Sequence, residues 1–476
     1  MKRAWEYDYE LIQNAVPKMI EDSEKNWEGA FDDDVLEYSR ISELWWSNVP
    51  GSNAPEQLII AAILSMYNMG YDVTSAEALI PSGISAFEAK DKIALSKITG
   101  EIFHYLNTAP IIKDHPHWKF PQYNTFTDYE SKVDFQKVYE MINEHQKSEK
   151  KLICEINYDD LYNKNLAGWT AQIVGGALGT AIEGYCTKQL KKAFGEIRNY
   201  VREPNTYNDD ITYEIAFLEA FKIHGIEVTS KDIALEWLGR IPRGWSAEDV
   251  ALRNLRLGIF PPESAKRANP YQEWIGAQMR GAVCGMVCPG DPKLAADFAF
   301  RDAQISHCNS GILGEVFNSI LISLSYVLTD CKLLVKTAID LIPSDSEYYS
   351  VISFAFNQCE SSKSWEEAWI PCEDKFKEFD WIHSFPNAAA EVISIYFSEN
   401  KLDECLHIIA MEGQDVDCNA AQVATIFGIM NGMNGIDKRW TEPLGDDVQT
   451  YMRGYEKTTL QELAKLTTDS SFSAFN

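Results

Sequence analysis

Apolar residues in this chain recur three and four positions apart and rarely alternate. The stretches Ile59 to Met69, Tyr213 to Phe221, Leu294 to Ala303, Val316 to Val327 and Ala388 to Phe397 all show this spacing. It matches the 3.6-residue turn and predicts amphipathic or buried helices, whereas a half-buried strand would alternate. Alternating runs bounded by turn signals are scarce, so the fold class is all-α. A length of 476 residues suits two domains. With 45% apolar and 12% aromatic residues the chain can fill well-packed cores, which excludes a disordered protein. Helix breakers at His115-Pro116-His117 and Pro121, then the charge-rich stretch from Asn143 to Lys151, mark a joint. The expected division is an N-terminal helical domain at 1–150, with exposed-looking Trp45 and Trp46, and a chemistry-bearing domain at 151–476. The tail after Leu466 reads as frayed.

The formal net charge is −28. Such an excess of carboxylates has no footprint for nucleic acid or for an anionic membrane surface. The N-terminus lacks the apolar core of a signal peptide and no apolar run is long enough to span a bilayer, so a cytoplasmic protein is expected. Ten cysteines lie scattered between Cys154 and Cys418 with no framework or zinc spacing, and read as free buried thiols.

Four segments carry chemistry. In Gly168-Trp169-Thr170 and the run Gly175 to Gly184, closely spaced small residues allow one helix to approach another backbone, and Glu183 stands as a lone acid in apolar company. Asn208-Asp209-Asp210 opens a second helix; by itself this pattern is more often an N-cap than a metal site. The segment from Asn269 through Pro289-Gly290-Asp291-Pro292 to Arg301-Asp302-Ala303-Gln304-Ile305-Ser306-His307 starts a helix at a turn and places Ser306-His307 just past its end, with Gly311 and Glu315 following. Last, Gly413 to Ala421 sets Asp415 and Asp417 at the start of an apolar helix. Two acids meeting there repel unless helix-terminal amides and a hard divalent cation sit between them. Two acidic helix starts so far apart in sequence suggest one shared metal site. Trp245-Ser246-Ala247-Glu248 is a candidate cleft border, and Trp440 a candidate to stack on a base.

Together, in this order, the motifs resemble the ADP-ribosylglycohydrolase family, the group of the dinitrogenase-reductase-activating glycohydrolases and the J1 crystallins. The likeness runs from Leu152 to about Gly454. It includes Gly-x-Leu-Gly-x-x-x-Glu ending at Glu183, Asp209-Asp210, the block at 301–307, His383-x-x-Pro386-Asn387 and Asp-x-Asp-Cys-Asn-Ala-Ala from Asp415. The resemblance implies a compact all-α bundle holding two Mg²⁺ ions in a cleft, with Mn²⁺ as the softer option. It places the metal ligands at Asn208, Asp209, Asp210, Asp415, Asp417 and Cys418. Glu183, then Asp210, are the carboxylates expected to move a proton or stabilise positive charge. His307, Gly311 and Glu315 are expected along the substrate cleft. The chain departs from the family pattern at Gly176 (usually Asp), Asn208 (usually Ser or Thr), Ile211 (usually Thr) and Cys418 (often Thr). An amide oxygen can still ligate Mg²⁺, but Ile211 cannot. Cys418 either packs, the reading favoured here, or tilts the site towards a softer ion.

The expected activity is metal-dependent hydrolysis at the ribose anomeric carbon of an ADP-ribosylated substrate, through an oxocarbenium-like transition state. The alternatives are an N-glycosidase acting on another ribosyl or nucleoside compound, and a catalytically silent binding protein of the same fold. Retention of all four aspartates argues against the silent protein, because a dead site has no need to hold repelling charges together.

Overall fold

Helices form where the three-four spacing predicts them. The computed structural model describes residues 41–145, 157–207 and 209–475, so Asn208 and Cys154 lie outside the described residues. The principal helices are α1 (Leu58–Asn68), α2 (Lys92–Asn107), α3 (Tyr158–Gly179), α4 (Asp210–His224) and α5 (Ser246–Arg256). They continue with α6 (Pro292–Ala303), α7 (Ser310–Ser325), α8 (Ser384–Phe397), α9 (Val416–Asn431) and α10 (Leu460–Phe475). Among the described residues the strands are three short antiparallel pairs, including β1 (Ser47–Asn48) with β2 (Pro55–Glu56) and β3 (Tyr185–Cys186) with β4 (Gly413–Gln414). The fold is all-α. Among the described residues no helix is long and apolar enough to cross a membrane.

The centre of the larger body is the crossing of α3 and α9, both buried on nearly every side. A Cβ placed on Gly175 would lie 2.2 Å from the Ala420 carbonyl oxygen, and one on Gly179 only 2.1 Å from the Asp417 amide nitrogen. Only glycine permits so close a backbone approach, and the approach sets the end of α3 against the start of α9. Local signals start the surrounding helices: Asp291 caps α6 by accepting from the Leu294 amide, with Pro292 at the first helical position.

Among the described residues the apolar side chains form two cores. The smaller gathers Trp45, Ile59, Ile63, Leu95 and Ile102 and is closed by Ala247 and Val250 of α5 with Tyr271 and Trp274. The N-terminal helices thus pack onto the outer side of α5. Tyr123, Tyr129, Phe135, Val138 and Ile142 belong to the larger core although they precede residue 151. Trp46 is exposed, but Trp45 is buried and its indole N–H donates to Thr99 Oγ1 at 2.8 Å. The tail expected to fray is helical to Phe475. Its hydroxyl-rich face is spent inside, with Trp169 Nε1 donating to Thr467 Oγ1 and Asn165 Nδ2 to Thr468 Oγ1, each at 2.9 Å.

Candidate active site

Three helix ends meet at the α3–α9 crossing. α3 terminates beside Thr180 and Glu183, α4 begins at Asp210 with Asp209 as its cap, and α9 begins after Asp415 with Asp417 in its first turn. The β3–β4 pair clamps the first and third together. Gly413 and Gln414 take left-handed backbone angles (φ 79° and 69°), and the Gly184 amide donates to the Gln414 carbonyl at 2.9 Å. Asn387 in α8 fixes the other side. Its Oδ1 accepts from the Asp415 amide at 3.1 Å and from Asn419 Nδ2 at 2.6 Å, while its Nδ2 donates to the carbonyls of Trp381 and His383.

The ligating atoms of Asp415, Asp417 and Cys418 lie within 4.8 Å of one another. Thr180 Oγ1 is 3.4 Å from Asp417 Oδ2, and the Cys418 thiol donates to Asp210 Oδ1 at 3.2 Å. Burial and then the carboxylates of Asp417 and Asp415 hold the Glu183 carboxyl well above its ordinary range. Burial, reinforced by Asp417, also raises Asp415 and Asp210 strongly and pushes Asp209 up to about 7. Burial, then Asp210 and Asp415, push up the Cys418 thiol, which therefore keeps the proton it donates. Carboxylates crowded in this way are electrostatically frustrated without a cation.

These groups open into a cavity of about 450 Å³ lined by Glu183, Asp209, Asp415, Asp417 and Cys418. Asp210 does not line it and sits behind Cys418. Trp245, Trp381, Tyr207 and Tyr451 supply aromatic walls, and Glu56 with Leu58 brings the N-terminal region to the rim. Burial raises the Glu56 carboxyl to about 7, against the hydrogen bond it accepts from Ser47. The expected cleft border at Trp245, Ser246 and Glu248 does line this cavity. Tyr207, Trp381 and Tyr451 were missed, because isolated aromatics in loops carry no periodic signal. Glu56 was missed because its region matches no motif.

His307, Gly311 and Glu315 are not cleft residues in this structure. His307 is fully buried behind Glu248, with Nδ1 2.8 Å from Ser306 Oγ and 3.8 Å from Glu248 Oε1. Burial and the nearby Arg280 guanidinium hold its pKa well below the usual histidine range, so it is neutral. Gly311 lies in the first turn of α7, where a Cβ would meet the Gln272 carbonyl at 2.6 Å. Glu315 is buried 3.7 Å from Arg280 Nε. The hub of this layer is Arg280, which donates to Glu248 Oε1 (2.8 Å), Asp302 Oδ1 (2.5 Å) and Ser306 Oγ (3.0 Å) beneath the Trp237 ring. The layer therefore aims Glu248 at the cavity, while Arg280, Asp302, Ser306 and His307 do not line it. Trp440 is also buried, its indole N–H bound to Asp403 at 2.7 Å, and cannot stack on a ligand in this cavity.

The chain is similar to an uncharacterised protein of Archaeoglobus fulgidus, 24% identical over 289 residues that make up 57% of this chain and 88% of the relative. A solved structure described as an ADP-ribosylglycohydrolase-related protein complex aligns with 66% of this chain and 99% of its own, at 17% identity and a TM-score of 0.46. The family profile for ADP-ribosylglycohydrolase matches residues 157–472, a span that begins with α3 and takes in every acid of the cavity floor. The chain belongs to the ADP-ribosylglycohydrolase family, a membership that supports glycosyl-hydrolase activity.

Proposed function

We propose that this protein is a divalent-metal-dependent hydrolase that cleaves the bond at the ribose anomeric carbon of an ADP-ribosyl-type substrate. One observation carries the reading: the carboxylates from the end of α3 and the starts of α4 and α9 converge on one aromatic-walled cavity. The donor set fits a hard divalent cation. Asp209, Asp415 and Asp417 offer oxygens; burial, and then the neighbouring carboxylate of Asp417, push Asp209 and Asp415 upward, a cost that a cation would relieve. Cys418 spends its thiol proton on Asp210 and offers no thiolate, which favours the packing role and an oxygen-only site for Mg²⁺ or Mn²⁺. A bound divalent ion supplies Lewis acidity and a grip on vicinal ribose hydroxyls.

The chain's own residues do the rest. Glu183 lines the cavity, hydrogen-bonds with Asp417 and retains its proton, so it can donate that proton to the leaving atom as the anomeric bond breaks. The resulting carboxylate then stands beside the positive charge developing on the ribosyl carbon. Asp210 acts through Cys418, positioning the start of α9. Trp245 and Trp381 exclude water and offer stacking faces.

The deciding assay incubates the full chain with Mg²⁺ and a panel of ADP-ribosylated proteins, small ADP-ribosyl compounds and unphosphorylated nucleosides. The expected result is ADP-ribose release that is abolished by chelator and by Asp417→Ala. Release of base from nucleosides alone would move the assignment to a ribosyl N-glycosidase. No turnover of any substrate would leave a silent binding protein.

A further inference from the structure

A second cavity of about 880 Å³ adjoins the acidic one. It lies between the N-terminal region and α5, and Ile41, Leu44 and Phe103 supply apolar lining. The two cavities share a wall made of Pro50, Glu56, Leu58, Arg243, Trp245 and Ser246. These six residues face both chambers, so a substrate that extended from one into the other would pass them.

Arg243 is the cation on that wall. Its guanidinium lies 4.4 Å over the Trp245 ring, and it pairs with no carboxylate among the described residues. Nearby arginines behave differently: Arg240 bonds to Glu236 and Glu219, and Arg253 pairs with Asp249. In a chain of net charge −28, a guanidinium held over an aromatic face, with no carboxylate partner among the described residues, leaves N–H donors for an anion. Acids line both chambers, Glu43, Glu56 and Asp249 in the second, but Asp249 is paired with Arg253. The guanidinium that faces both chambers is Arg243, and it is the group that would attract an anionic part of a substrate held by its ribose in the first. A planar fork of donors matches two phosphate oxygens.

We propose that Arg243 is a specificity-determining residue that binds the diphosphate of the substrate as it passes from the acidic chamber into the second one. The inference rests on the ADP-ribosyl reading above. The test is calorimetric titration of the full chain in Mg²⁺ buffer with ADP-ribose, inorganic pyrophosphate and adenosine, comparing wild type with Arg243→Ala, Arg243→Lys and Trp245→Leu. Arg243→Ala is expected to weaken ADP-ribose binding on the order of tenfold or more while leaving adenosine binding unchanged. Arg243→Lys should fall between, since charge survives without the planar fork, and Trp245→Leu should weaken ADP-ribose by removing the face that orients Arg243. Equal losses for adenosine and ADP-ribose would make Arg243 a mere wall and overturn the inference, as would unchanged ADP-ribose affinity. Loss confined to pyrophosphate would identify a free-phosphate site instead and overturn it too. Wild-type protein that binds no ADP-ribose would refute the underlying function together with the inference, a result distinct from wild-type binding that Arg243→Ala leaves intact.

Discussion

Gly179→Ala tests whether backbone contact between α3 and α9 builds the site. The added Cβ would stand 2.1 Å from the Asp417 amide nitrogen and 2.2 Å from its Cα, about 1.3 Å inside ordinary contact at 3.4 Å. Both atoms are backbone of the residue that must face the cavity, so no side-chain rotation relieves the clash. Helix propensity alone favours Ala over Gly by about 1 kcal/mol. Overpacking against rigid neighbours costs about 3 kcal/mol or more, so a net loss of about 2 kcal/mol is expected. Because the helices must part where Asp417 sits, metal response and turnover should fall further than stability does. Gly100→Ala in α2 is the control: nothing lies within 4 Å of its Cβ, and it should gain up to about 1 kcal/mol. Urea midpoints for both variants, read with the Mg²⁺-induced shift in melting temperature, give the answer. A Gly179→Ala protein as stable and as metal-responsive as wild type would refute the close-approach argument.

Asp415→Ala and Asp417→Ala should each abolish the Mg²⁺-dependent rise in melting temperature and abolish turnover while leaving the helical circular dichroism intact; undiminished activity in either sinks the metal assignment. In wild type at a metal concentration of 100 times Kd that rise corresponds to about 2.7 kcal/mol. Cys418→Val removes the thiol donor to Asp210 and should cost about 1–2 kcal/mol, with Cys418→Ser closer to wild type; equal stability of all three would make residue 418 a space-filler. Burial raises the Glu391 carboxyl to about 8, so the folded state keeps a proton that the unfolded chain releases above its ordinary pKa of 4.5. Its stabilising contribution is full below 4.5 and is lost as pH rises through 8, about 3 kcal/mol being gone by pH 7. Glu391→Gln should therefore melt higher than wild type at pH 8.5 and level with it at pH 4.5, and parallel pH profiles would contradict the shift.

The helices were legible because their apolar spacing is a local property of the chain. The run from Gly175 to Gly184 was legible for the same reason: small residues spaced along one helix announce a close crossing, and the partner proved to be the helix that starts after Asp415. Long-range pairing was not legible. Nothing local to Ser306-His307 says that the imidazole turns inward to Ser306 and Glu248 instead of facing a cleft, because burial depends on the Arg280 layer that covers it. Trp440 failed as a stacking candidate on similar grounds, since its partner Asp403 is remote in sequence. The tail after Leu466 looked polar enough to fray, yet its threonines are bonded to Trp169 and Asn165 of a helix some three hundred positions earlier.

The N-terminal region shows what a motif-based reading leaves out. Among the described residues it contributes no acid to the floor of the cavity, and the family match begins only at residue 157. Yet Glu56 and Leu58 line the same cavity as Glu183 and Asp417, and the smaller core closes on Ala247 and Val250 of the helix that carries Glu248. Loosening that core by Ile63→Ala, a truncation of a buried side chain worth about 2–5 kcal/mol, would therefore be felt along the outer face of α5. The carboxylates proposed to hold the ion are anchored separately, by the α3–α9 crossing and Asn387. The two effects should separate in measurement: Ile63→Ala weakens binding of an extended substrate while the Mg²⁺ shift persists. A loss of both in proportion would mean that the N-terminal region supports the acidic floor itself and not only the wall above it.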